Sequence, residues 1–401
     1  MQTASRFIAL DIHKEYFVAL GVNAEHETVY GPQRVANHEL ENWMGKVLGA
    51  GDAVVLEMTT DTYAFYDVLV PHVHSVTVVH PPHVALITRA QVKTDRKAAS
   101  TLAKLHAAGL LTGVWIPPQE VRELRALVAQ RRKMVRLATM AKNRLRAALH
   151  RHHLLPPEGS QPFHPRHTEH WLNLPVSALE QMNIRCDWET LQFAKRQQVM
   201  LEDCIKKVAA EDERVPLLIQ LPGIGLLSAI TLLAAIGEIE RFPSDKKLVG
   251  YAGMGARVHD SGQTYRTGRI TKAGRKDIRA TMVEAAHHAA RTHPYWKAEF
   301  ERLAPRIGKS KAYVAIGRKL LVAVWHVLTK GEADRFADPA KVAASLFAHA
   351  YRVGLKNLPA EMSARAYIRL HLDNLHLGRD LHSISWGRKR VTLPPSSLPD
   401  L

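Results

Sequence analysis

Three short β-prone runs follow one another at the start of the chain: Phe7 to Ile12, Phe17 to Val22 and Thr28 to Val35. Their connections are short, which is the pattern of an antiparallel meander. The pattern then changes. A helix is expected from about His38 to Val47, then a strand at Ala53 to Met58, a helix around Tyr63 to Leu69, a strand at Val76 to His80, and a helix beginning near Asp95.

Antiparallel strands leading into alternating strands and helices build a mixed sheet flanked by helices, the ribonuclease-H-like or RuvC-like layout. From Val121 to Leu155 the sequence becomes one long basic helix. Val121, Leu124, Val128, Val135, Ala138, Leu145 and Leu149 form an apolar stripe at helical spacing, amid Arg131, Arg132, Lys133, Arg136, Lys142, Arg144 and further cations. One face would pack, as a coiled-coil linker or an assembly seam, while the others meet water or an anion. Residues 156–190, rich in Pro, His and polar side chains, are expected as a loop-like insertion before a helix from Trp188 to Ala210. Leu221-Pro222-Gly223-Ile224-Gly225 then opens a helix through Ala235. Two glycines around an apolar residue at a helix start mark a helix-hairpin-helix turn, in which the amides around Gly223 and Gly225 can hold a phosphate; a simple glycine turn is the plainer reading. An irregular glycine-rich stretch is expected from Gly250 to Gly274, then helices near Asp277 to Arg291 and Lys311 to Lys330. After Gly331 an appended helical piece with a frayed end is expected.

The fold class is therefore α/β plus α-helical. Its parts are a mixed-sheet catalytic domain at 1–117, a basic helical region with an insertion at 118–215, a mostly helical domain with the hairpin and a serine loop at 216–331, and an extension at 332–401.

Charge decides what such a chain meets. Among 401 residues, Lys and Arg number 55 against 38 Asp and Glu, a net charge of +17, so a polyanion is the favoured partner. No long uncharged apolar run and no basic-then-apolar leader is present, so no membrane partner is expected. Cys186 and Cys204 lack metal-ligand spacing and read as reduced thiols of a cytoplasmic protein. The histidines form no zinc signature and are read as surface or core residues.

Asp11 ends the first strand and Glu57 the fourth, while Asp95 starts a helix packed over that edge. Acids from distant parts of a sequence, each at the end of an apolar element, suit a hard cation such as Mg2+. Phosphodiester cleavage uses such a cation to help deprotonate the attacking oxygen and to offset charge on phosphorus. Taken singly, Asp95 could be a helix cap and Asp11 a turn residue. A second candidate centre is Ser261 in His259-Asp260-Ser261-Gly262-Gln263, followed by Arg266, Arg269, Lys272 and Arg275, whose charges could neutralise a phosphate under attack. A turn serine in a DNA-binding loop is the bland alternative. Serine needs a base or a metal, so the two centres would have to meet within one chain or across an oligomer.

From Phe7 to Gly331 the sequence resembles the RNA-guided DEDD transposases of insertion sequences of the IS-one-ten type. The likeness is carried, in order, by Ala9-Leu10-Asp11-Ile12-His13-Lys14, the Glu57 strand, Lys93-Thr94-Asp95-Arg96, the Arg-rich helix, the Pro222 hairpin and the block from Ser261-Gly262 to Gly274. The resemblance implies that Asp11, Glu57 and Asp95 bind Mg2+ and that Ser261 is the nucleophile joined to a DNA 5′-phosphate. It further implies donor and target DNA, a structured guide (bridge) RNA, a homo-oligomer from dimer to tetramer, and a bacterial or archaeal, nucleoid-associated setting. The family pattern places a fourth acid three residues after the Asp95 position, where this sequence has Ala98. A methyl group cannot coordinate a cation, so extra water, another acid, or a sequence altered to weaken catalysis would explain it. Two alternatives stand beside this reading: a metal-dependent Holliday-junction nuclease using water, and a non-catalytic nucleic-acid-binding protein.

Overall fold

The computed structural model describes residues 4–88, 94–261 and 264–398, with only the backbone of residues 86–88, 259–261, 264–267 and 361. Lys93, Gly262, Gln263 and the side chains of Ser261 and Arg266 therefore lie outside the described part. The chain divides into two compact units, Met1–Pro118 and Gln119–Leu401.

In the first unit β1 (Arg6–Ile12), β2 (Tyr16–Val22) and β3 (Thr28–Ala36) lead into α1 (Leu40–Val47), β4 (Asp52–Glu57), α2 (Thr62–Leu69), β5 (Ser75–Val79), α3 (Pro81–Thr88) and α4 (Asp95–Ala107). The strands form one five-stranded mixed sheet in the order β3-β2-β1-β4-β5. β1 pairs antiparallel with β2 and parallel with β4, with Leu10 opposite Leu56. Successive strand side chains point to opposite faces. Ile8, Leu10, Val54 and Leu56 accordingly pack with Leu40, Trp43, Phe65 and Leu69 of α1 and α2. Ala9, Val18, Leu20 and Val55 pack with Val84 of α3 and with Ala99, Leu102 and Ala103 of α4. The expected mixed sheet is present. α3 was not among the expected elements; the prolines that open it are well suited to a helix's first turn.

The second unit opens with α5 (Gln119–Arg151), α6 (Thr168–Leu172), α7 (Ala178–Glu211), α8 (Arg214–Ile219), α9 (Leu226–Ile236) and α10 (Asp245–Tyr251). α5 and α7 pack along Ala138, Ala141, Leu145 and Leu149 against Ile184, Trp188, Leu191 and Ala194. Ion pairs join Arg131 to Glu202, Arg144 to Asp187 and Arg151 to Glu180. The partner numbers fall as the α5 numbers rise, so the two helices run antiparallel. This corrects two expectations. The α5 stripe is covered over this stretch by α7 of its own chain rather than left as an assembly seam, and the insertion is mostly helical. α7 begins ten residues before Trp188 because Ser177 caps it, accepting from the Glu180 amide at 3.3 Å.

Next come β6 (Ala256–Ser261), β7 (Thr264–Ile270), α11 (Lys276–Thr292), α12 (Pro294–Ile307) and α13 (Lys309–Lys330). The stretch expected to be irregular is thus a hairpin whose backbone pairs His259 with Arg266 and Ser261 with Thr264. The sequence of the stretch is polar at most positions, so no clean apolar alternation marks its strands. α13 is long and apolar enough to cross a membrane, but Ile316, Leu320, Leu321 and Val324 are wholly buried in the core of this unit.

α14 (Pro339–Val353), α15 (Ala364–Asn374), β8 (Ser383–Trp386) and β9 (Lys389–Thr392) complete the chain. Contrary to expectation, the described residues up to 398 are tied into the core rather than frayed. Ile384 and Leu393 belong to the same core as α9 and α13. Buried Arg369 donates to the carbonyls of Pro394 at 2.9 Å, Gly378 at 3.1 Å and Leu381 at 2.5 Å, while Asp373 accepts from Ser396 and Ser397. Both cysteines lie exposed on α7 and unpaired.

Candidate functional site

Asp11 and Glu57 follow directly on Leu10 and Leu56, which face each other across the parallel β1 and β4 pair. Strand alternation puts both acids on the Ala9 and Val55 face, where α4 packs. Asp95 is the first residue of α4, whose Thr94 cap accepts from the Lys97 amide at 3.3 Å. The ligand atoms of Asp11, His13 and Asp95 all lie within 4.8 Å of one another. Glu57 is not part of that group.

His13 is the residue that sequence reasoning left among the surface and core histidines. Its Nε2 lies 3.6 Å from Asp11 Oδ2 and 3.4 Å from Asp95 Oδ2, within ion-pair range for a protonated ring, yet it makes no hydrogen bond. Its two-residue spacing from Asp11 matches strand alternation, but β1 ends at Ile12, so the spacing alone does not single it out. His13 stacks on Tyr16 at 4.7 Å between ring centres, and the Tyr16 hydroxyl donates to Asp95 Oδ2 at 3.0 Å. That bond to Asp95 pushes the Tyr16 phenol above its usual range, with Arg34 pulling the other way from 3.6 Å over the ring.

Two carboxylates and an orphaned ring nitrogen, gathered at a sheet edge beside a helix start, form a donor set that fits a divalent cation. Oxygens on opposite sides of a hard cation stand about 4.2 Å apart, so modest side-chain rotation would close this group on one. Ala98, where the family pattern has an acid, lies one helical turn beyond Asp95 on α4 and is half-buried.

The expected nucleic-acid residues separate into several places. Arg131, Arg132, Arg136, Gly223 and Gly225 line one cleft of about 550 Å³ in the second unit. Gly223 has φ +84°, and a Cβ there would meet the Ala285 carbonyl oxygen at 2.4 Å. Arg131 is held by Glu202 at 2.6 Å. Lys133 is exposed further round α5, Lys142 reaches the Phe163 ring at 5.9 Å, and Arg144 pairs with Asp187 at 3.3 Å. Arg269 is exposed on β7 and Lys272 just beyond it, and Arg275 is committed to Asp277 at 2.5 Å. The Ser261 backbone ends β6.

A mixed-sheet unit with acids gathered from a strand end and a helix start, in a chain of charge +17, points to the DNA-processing class of enzyme. Comparison with known proteins narrows the class. Residues 8–154 match the DEDD transposase domain of the IS110 type, and residues 215–301 match the transposase family IS116/IS110/IS902. The chain thus carries two domains that match transposases of the IS110 type.

The putative transposase y4qE of Sinorhizobium fredii is 29% identical over 63% of this chain, an alignment spanning 59% of that relative's own length. The transposase for insertion sequence element IS1111A of Coxiella burnetii is 23% identical over 82% of this chain and 91% of its own. The pilin gene-inverting protein of Moraxella bovis is 26% identical over 65% and 74% respectively.

Proposed function

We propose that the chain is an Mg2+-dependent, RNA-guided DNA recombinase that exchanges strands through a phosphoserine at Ser261. The observation that carries this reading is the convergence of Asp11 and Asp95 ligand atoms with His13 within 4.8 Å. Glu57 is the further acid on that sheet face and would join on metal binding. The strand order β3-β2-β1-β4-β5 supports a ribonuclease-H-like, RuvC-like reading of the first unit. Short α8 and α9 around the Gly223 turn support a helix-hairpin-helix reading in the second. A bound Mg2+ would offset negative charge on the phosphate and ease deprotonation of the attacking hydroxyl.

Ser261 Oγ loses its proton to a base and bonds to phosphorus as the bond from phosphorus to the 3′ oxygen breaks. The departing oxygen takes up a proton and becomes a free 3′-hydroxyl, while the 5′-phosphate stays on serine. This ester keeps the reactivity of a phosphodiester, so a second 3′-hydroxyl can displace the serine and reseal DNA without ATP. Basic grooves that read backbone rather than bases suit a protein whose target is chosen by a paired RNA, and paired exchanges call for a homo-oligomer.

A denaturing gel tests the reading. Labelled element-end DNA, Mg2+ and flanking RNA should yield a protein-linked band that disappears in Ser261→Ala and in Asp11→Asn. Cleavage without the band would assign water as nucleophile, and binding without cleavage would leave a nucleic-acid-binding protein.

A further inference from the structure

The cleft between α5, α9, α11 and α14 gathers more positive charge than the fold uses. Arg132, Arg136, Lys276 and Arg352 line it, and Glu284 is the only acid among its lining residues. Arg136, Lys276 and Arg352 have no ion-pair or hydrogen-bond partner among the described residues. Arg132 faces Asp277, but that carboxylate is already held by Arg275 through two hydrogen bonds.

Arg352 is the most telling of these. It comes from α14, in the segment for which the sequence suggested no role, and a Cβ on Gly225 would lie only 3.2 Å from its Nη1. Gly225 caps α9 without any side-chain bond to the first-turn amides. A guanidinium at a helix N-terminus faces the positive end of the dipole, which disfavours it. The other end of α9 shows the favourable arrangement: Arg125 donates to the carbonyls of Ala234 at 2.7 Å and Ala235 at 2.9 Å. One helix thus carries a matched cation at its C-terminus and a mismatched one at its N-terminus. An anion seated in the cleft would turn the mismatch into attraction, because free amides and guanidinium would share it.

We propose that Arg352 and Lys276, with Arg132 and Arg136, clamp a backbone phosphodiester of nucleic acid in this cleft, giving residues 332–401 a direct part in binding. The proposal rests on the reading of the chain as a nucleic-acid enzyme, and it assigns a contact that this reading does not need. The ligand chemistry is the phosphodiester itself, shared by DNA and RNA.

The test is fluorescence anisotropy of the full-length protein with two probes, a random-sequence 20-base-pair DNA duplex and a labelled RNA hairpin, across a salt series. Arg352→Gln and Lys276→Gln should each weaken at least one probe by roughly three- to tenfold and reduce the slope of log affinity against log salt by about one. Loss on the duplex alone assigns DNA, and loss on the hairpin alone assigns RNA. Arg352→Lys should retain most of the affinity, and Arg352→Gln should melt no lower than the parent because the cation is mismatched to α9. Unchanged affinity and slope with both probes would overturn the clamp, as would a loss that tracks a lowered Tm. A parent protein that binds neither probe would instead sink the nucleic-acid reading, and the clamp with it.

Discussion

The Tyr16 hydroxyl donates to Asp95 Oδ2 at 3.0 Å, tying the start of β2 to the first residue of α4. The bond orients a carboxylate of the acid cluster from outside the ligand set. Removing such a support commonly costs tenfold or more in metal affinity, so Tyr16→Phe should weaken divalent binding by roughly tenfold. Calorimetric titration with Mn2+ reads this directly; equal affinities would show that the hydroxyl leaves Asp95 unaffected.

His13 predicts a metal-selective effect. Imidazole suits Mn2+ better than Mg2+, whereas carboxylates serve both. Asp11→Asn and Asp95→Asn should weaken both ions, while His13→Asn should weaken Mn2+ several-fold more than Mg2+. Parallel losses for the two ions in His13→Asn would place the ring outside the ligand set.

Ala98 lies in the first turn of α4, where its amide donates to Thr94 O at 2.8 Å. An acid in a first helical turn is compatible with the dipole, so Ala98→Asp should fold as the parent does. With a ligand added one turn from Asp95, DNA cleavage should rise. A rate unchanged at saturating Mg2+ would show that the missing acid does not limit catalysis.

Acid should destabilise the fold through its buried histidines. Burial holds His106, His349 and His371 down to about 4 from the ordinary 6.5, with nearby His371 and Arg352 adding to the effect on His349. Above pH 6.5 these rings are neutral in both states, so nothing is lost. As pH falls below 6.5 the unfolded chain binds protons that the native state refuses until about pH 4, and stability declines across that window. The gap amounts to roughly 3 kcal/mol per ring at most. Thermal melts from pH 7 to pH 4.5 should show falling Tm, with a shallower fall in His349→Leu; identical slopes would show that His349 contributes nothing.

The first unit was legible because its strands alternate between two apolar helical layers, leaving a clean period in the sequence. Asp11, Glu57 and Asp95 stood out as acids ending apolar elements. His13 did not, because its role depends on α4 bringing Asp95 to it across 82 positions of sequence, a closure no local pattern announces. Segments with prolines at their starts misled for a related reason. Pro81 and Pro294 each open a helix, where the missing amide costs nothing, and α12 went unseen although Trp296 and Leu303 mark its buried side. The basic cleft was only half visible. Arg132, Arg136, Gly223 and Gly225 read as two separate features, and Arg352, far along the chain, joins them only after α14 has packed.

The stitching of the last residues into the second unit sets an order of events at the ribosome. Met1–Pro118 carries its own core and is free to fold while synthesis continues. The larger unit must wait for Leu393 and the serines that Asp373 holds, which are made after all of its helices. Until then α9 and α13 stay without part of their covering layer, so a prematurely stopped chain would expose a greasy half-built bundle to chaperones and proteases beside a finished sheet.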